Sequence, residues 1–296
     1  MTVNDRKGRI TSSIYEISSI IEDFRMQVAG GLMSGLKIWL SGLLPSLLAN
    51  AEMWTEMPGD SIQHLEEMQL LLLQKLFSVP RTTPHAALRW DAGTISLEMQ
   101  VAKKKLLFLH HLISLEENAL ANEILVVQEN KNLPGLVQEC KSLIKSLNLP
   151  NLFDKKVSST FSKLMWKNRV NKAIEEFEES NLKLLFSSKS KLKDGPMMGE
   201  SFGQKGYISD LSLYKARMKF QMRSKMVDAK FNFSAKYEKE LWRCDSCLSA
   251  IETQSHLLFC PAYSSLRVGK DLKNDDHLID YMQSVMDVRT KLNLRK

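Results

Sequence analysis

Six apolar residues, Ile95, Met99, Ala102, Leu106, Leu109 and Ile113, recur at steps of four and three. That spacing lines one stripe of an α-helix and matches no strand period. The same reading extends to Ile14, Ile17, Ile21 and Phe24, with Gly30 and Gly31 allowing a break after them, and to Ile62, Leu65, Gln69, Leu72, Leu73 and Leu76. Asp60 is the expected N-cap of the latter helix, and Pro80 and Pro84 end it. A long helix over 32–50 with a kink near Pro45 is expected, and further helices fit 115–129, 134–148 and 157–180. No run alternates as strands do, so the first 186 residues read as all-α.

The stretch 187–206, "SSKSKLKDGPMMGESFGQKG", is rich in Ser, Lys and Gly and has no period, so it reads as a linker. The expected organisation is therefore a helical domain over 1–186, a linker over 187–206, and a C-terminal unit over 207–296. That unit holds a basic helix at 207–229, a Cys/His cluster and a last amphipathic stretch near 276–292. The segment 30–54 carries Lys37, Pro45 and Glu52 and lacks the unbroken apolar run of about 18 residues that a membrane helix needs. The N-terminus, "MTVNDRKGRI", has no apolar run behind it and does not read as a secretory signal. The chain is expected to be intracellular, in nucleus or cytoplasm, without a membrane partner.

Three of the four cysteines fall within "CDSCLSAIETQSHLLFC", spaced Cys244-x2-Cys247-x8-His256-x3-Cys260. Two cysteines separated by two residues can chelate from one turn, and a His and Cys four apart share a helical face. Three thiolates and an imidazole form the soft tetrahedral set that suits Zn²⁺ and leaves no open position for substrate. The expected cofactor is a structural Zn²⁺; the competing reading is buried free cysteines beside a chance histidine. Cys140, alone in a helix, reads as a buried thiol.

The formal net charge is +7, and residues 155–243 hold 20 Lys+Arg against 10 Asp+Glu. In the basic helix, Tyr214, Met218, Met222 and Met226 make an apolar i, i+4 stripe, with Lys215, Lys219 and Arg223 running beside it. Arg217, Lys225 and Lys230 lie nearby, and all six cations are candidate phosphate contacts. A solvated charged face is the plainer alternative. Phe220, Phe231, Phe233, Tyr237 and Trp242 could stack on bases or belong to the core. Catalytic signatures are missing: there is no Gly-rich phosphate loop, no G-x-S-x-G and no H-E-x-x-H. Asp275-Asp276 reads as a helix N-cap, and His110-His111 as core or helix-surface residues.

"GGLMSGLKIWLSGLLPSLLANAEMWTEM", "TTPHAALRWDAGTISLEMQVAKKKLLFLHHL", "PGLVQEC" and "LWRCDSCLSAIETQSHLLFCPAYSSLR", in that order, resemble the region downstream of the palm in non-LTR (LINE-type) retrotransposon reverse transcriptases. The resemblance covers roughly residues 8–268. It implies a multi-helix thumb/connector-like bundle, with the thumb-like helices within 31–113, and a small C-terminal zinc-binding knuckle on Cys244, Cys247, His256 and Cys260. The family's activity is RNA-directed DNA polymerisation, but its palm, with the aromatic-x-Asp-Asp motif, has no counterpart here, and its endonuclease is missing too. The resemblance thus implies a truncated or domesticated copy that binds RNA or DNA and does not polymerise unaided, unless another chain supplies a palm.

Overall fold

Pro45 decides how the first long helix is built. It has no N–H to donate and its ring crowds the carbonyl four residues earlier, so a regular helix cannot run through it. In the computed structural model, α1 (Gly31–Ile38) passes into a π turn at Trp39–Leu43 and then into a further helical turn at Leu44–Leu47. The N–H of Leu44 reaches the carbonyl of Trp39, five residues back. The expected kink at Pro45 is thus a widened turn just before it.

The structure describes residues 11–16, 19, 29–54, 59–116, 118–188, 192, 196–232 and 238–293. The fold is all-α: among these residues there is no strand, only isolated bridges between Ala29 and Ser212 and between Arg243 and Ile251. Residues 11–16 are helical and Ile14 is buried, while Ile17, Ile21 and Phe24 lie outside the described residues. The longer helices are α2 (Gly59–Phe77), α3 (His85–Ala92), α4 (Leu97–Ile113), α5 (Leu120–Asn130), α6 (Leu136–Ser146), α7 (Lys163–Ser188), α8 (Leu213–Arg223), α9 (Gln254–Phe259) and α10 (Asp275–Asn293). No helix among the described residues is long and apolar enough to cross a membrane.

The stripe read from the sequence on α4 is real and faces one core throughout, with Ile95 and Ile113 packed at its ends, while other apolar residues of the helix enter a different core. Leu97 and Val101 face a first core with α1, α2 and α3; Met99, Ala102, Leu106 and Leu109 face a second, built with α6 and α7. α7 runs antiparallel to α4. At one end Glu178 accepts from the N–H of Ser96 at 2.9 Å and pairs with Arg89; at the other Trp166 Nε1 donates to the carbonyl of Leu106 at 3.0 Å. His110 is buried, stacks on Trp166, and places Nε2 3.0 Å from the carbonyl of Phe161, which makes it a core residue. Cys140 is also buried in the second core, and burial pushes its thiol up to about 12, so it is inert as a nucleophile.

Two features differ from the reading of the sequence. Helix α2 begins at Gly59, so Asp60 stands in its first turn rather than before it, and Asn274, whose Oδ1 accepts from the N–H of Asp276 and of His277, caps α10 ahead of the Asp275-Asp276 pair. The stretch 187–206 is more than a linker. Leu192 and Met197 are buried in the first core, Phe202 packs edge-on to Trp90, and Lys205 N–H bonds to the carbonyl of Asp91 at 3.0 Å. Its polar composition hid three apolar anchors among residues with no helical period.

Gly93 closes α3 at φ 64°, and a Cβ there would lie 2.3 Å from the backbone nitrogen of Gln204. Gly93→Ala is expected to lower unfolding free energy by about 2 kcal/mol or more, measured by denaturant titration, because both the left-handed backbone and the close strap resist a side chain. The strap also carries a titrating contact. Hydrogen bonding to Arg223, reinforced by Lys205, holds the Glu200 carboxyl down to about 2. A carboxyl depressed by folding stabilises above its ordinary value of 4.5 and stops doing so as pH falls from there towards 2. Glu200→Gln should therefore lower thermal stability at pH 7, where the carboxylate contributes, change it little near pH 2, and flatten the loss in between.

Candidate metal centre

The two bridge residues Arg243 and Ile251 bracket a tight turn. Within it Cys244 N–H bonds to the carbonyl of Ala250 at 2.9 Å and Leu248 N–H to the carbonyl of Cys244 at 2.8 Å. Leu248 adopts φ 57°, a left-handed conformation that lets the chain double back and point Cys247 toward Cys244. The other pair comes from α9. Thr253 caps it by accepting from the N–H of His256 at 3.0 Å, and Cys260 follows its last turn, so His256 and Cys260 stand on one side.

The four donor atoms, three Sγ and one imidazole nitrogen, all lie within 4.8 Å of one another. Cys244 Sγ is 3.9 Å from Cys260 Sγ, and Cys247 Sγ is 3.3 Å from His256 Nε2. A tetrahedral ion with metal–sulfur bonds of about 2.3 Å has sulfur–sulfur edges of about 3.8 Å, so the residues fit one such ion. The donors are unlike in their surroundings. Cys244 and Cys260 are buried, and burial pushes Cys260 up to about 12; Ser249, whose hydroxyl donates to Cys247 Sγ at 3.1 Å, holds Cys247 down to about 6. Cys247 is thus the thiolate that could first engage an ion, and Cys260 must give up its proton to complete the set.

The cluster is built into a third core. Cys244 and Cys260 pack with Leu257, Tyr263, Ile279, Tyr281, Met282 and Val285, so α10 covers the module. Tyr281 donates to the carbonyl of Leu257 at 2.8 Å, Arg267 donates to the carbonyl of Cys260 at 2.9 Å, and buried Arg289 pairs with Glu252. The Arg289–Glu252 pair could not be read from local pattern, because its members stand 37 residues apart.

The basic helix expected over 207–229 is interrupted: Tyr207–Asp210 is one short turn and α8 starts again at Leu213. Met218 and Met226 are buried as an apolar stripe should be. The parallel row of cations is matched inside the molecule. Lys215 pairs with Asp280 at 2.7 Å and Lys219 with Asp275 at 2.6 Å, both on α10, which runs antiparallel to α8. Arg223 lies between fully buried Asp91 at 2.9 Å and Glu200 at 2.8 Å, and these carboxylates raise its pKa against the opposing effect of burial. Arg217 is buried and donates to the carbonyls of Leu76 and Lys75 at the end of α2, as a helix cap would. Lys230 pairs with Asp245 at 2.8 Å, beside the metal-ligand turn. Lys225 is paired with no carboxylate among the described residues. The readable signal for this pairing was the acidic face of the C-terminal helix, Asp275, Asp280 and Asp287, the last of which accepts from Tyr214. Among the aromatics, Phe220 is buried, Phe231 and Trp242 pack edge to face with centroids 5.6 Å apart, and Phe233 and Tyr237 lie outside the described residues.

No protein-family model, no curated protein and no solved structure matches this chain.

The donor geometry predicts one tightly held metal ion per chain by elemental analysis. Cys244→Ser and Cys260→Ser should each lose it and lower Tm, whereas Cys140→Ser should leave metal content unchanged. Uptake should release protons, so affinity should fall as pH falls.

Proposed function

We propose that the chain is a non-catalytic nucleic-acid-binding protein whose C-terminal module is held by one structural Zn²⁺. The observation that carries this reading is the convergence of Cys244, Cys247, His256 and Cys260 on one point of a chain with net charge +7. Three sulfurs and one nitrogen favour Zn²⁺ over the hard cations, and four protein ligands leave no coordination site for a substrate. The order of a helical body followed by a Cys-Cys-His-Cys module is the order implied by the resemblance to the post-palm region of non-LTR reverse transcriptases. Under that reading the chain acts on RNA or DNA in the nucleus or cytoplasm, and polymerisation requires a palm from elsewhere.

A second reading, a helical scaffold for another protein, is favoured by α5. Leu120, Ile124 and Val127 are exposed at helical spacing, and Leu125, Val126, Phe153 and Phe161 help line a cleft of about 910 Å³ beside it. Titrating a labelled RNA–DNA hybrid into the protein at increasing salt separates the two. Phosphate contact should make affinity fall steeply with ionic strength, and binding that is absent or flat with salt would favour the scaffold. Cys247→Ser should weaken hybrid binding if the zinc module takes part. A primer-extension assay on the isolated chain should yield no product.

A further inference from the structure

The charges of α7 are sorted along its length. From Lys155 to Lys172 the chain has six Lys+Arg and no Asp or Glu, and Glu175, Glu176, Glu178 and Glu179 come directly after. This order opposes the helix dipole, whose positive end stands at Lys163. Lys163 and Lys167, one turn apart, also repel each other. An arrangement that works against the helix at two levels has no account in the stability of the helix itself.

The neighbouring helix strengthens the same field. Because α7 runs antiparallel to α4, the Trp166–Leu106 contact puts Lys103 beside Lys167. Burial, and next the Lys167 ammonium, lower the pKa of Lys103, with Glu175 opposing them. Lys163 and Lys167 are exposed, and neither they nor Lys103 has a carboxylate within ion-pair distance among the described residues. On the helical wheel the side chain next outward from Lys167 is Leu164, 66% exposed. The contrast with α8 is direct: Lys215, Lys219 and Arg223 each meet a carboxylate at 2.9 Å or less.

We propose that Lys103, Lys163 and Lys167, with exposed Leu164 beside Lys167, form the surface that takes the phosphodiester backbone of a nucleic acid. This rests on the nucleic-acid reading above and moves its interface from α8 to the α4–α7 face. Phosphates supply the negative charge that this face lacks, and each contact releases condensed counterions from the nucleic acid. The positive end of α7 adds to the attraction. An exposed leucine at the edge of the cations is suited to an apolar contact with a base or sugar rather than to another phosphate.

The test is the salt dependence of binding of a labelled RNA–DNA hybrid by wild type, by K103Q/K163Q/K167Q and by K215Q/K219Q. Glutamine keeps helix propensity, so folding should survive, and relief of repulsion should hold or raise the Tm of the triple variant. The expected result is a loss of about tenfold in affinity at low salt for the triple variant. The slope of log affinity against log salt should shrink by about two to three, and K215Q/K219Q should match wild type. A triple variant that binds like wild type while K215Q/K219Q loses the slope would overturn this surface and leave the nucleic-acid reading standing. Failure of wild type to bind the hybrid at low salt would remove both. Wild type that binds phosphatidylserine vesicles instead of the hybrid would make the face a membrane contact, which also overturns the proposal.

Discussion

Asp91 is fully buried, and a carboxylate in that position must be neutralised from within. Arg223 does so from α8 and Tyr207 donates to the same carboxylate at 2.8 Å, while Glu200 takes the remaining arm of the guanidinium. This one cluster joins α3, the strap and α8. Removing one member of such a buried pair costs about 3–5 kcal/mol, because the orphaned charge remains. α8 then serves two cores at once: Leu213, Ala216 and Phe220 face the first, and Met218 faces the metal module. The module's position relative to the helical body depends on that helix staying where Asp91 holds it.

Several cations in this protein serve the fold. Arg217 closes α2, Lys104 donates to the carbonyl of Leu48 at 2.8 Å, Arg267 closes α9, and Arg289 donates to the carbonyl of Asp228. Each satisfies a carbonyl that a helix or turn end would otherwise leave bare. Net charge is therefore a poor guide to which positive groups a ligand would meet. The basic stretch that looks most like a binding helix in the sequence is the one most completely satisfied by the fold.

The all-α architecture was legible because burial follows 3.6-residue spacing, as Leu106 and Leu109 show on α4. The metal cluster was legible because its four donors lie within seventeen residues, where local geometry does most of the positioning. Contacts set by distant partners were not. Lys219 gives no sign of Asp275, 56 residues away, and Met197 gives no sign of the core it enters. The strap 187–206 lacks period and hydrophobicity because only a few of its residues need to be buried.

The π turn in the first helix has a bearing on how that segment could change over time. Trp39 and Leu44 both enter the first core although they are five residues apart, a step that would place them well away from each other around an ordinary α-helix. The wider turn restores their phase. Removing one residue between them would turn the five-residue step into a four-residue one, which an ordinary helix accommodates, and the same two side chains would still face inward. The segment thus holds a spare residue, and its length can vary by one without reversing which side of the helix is apolar.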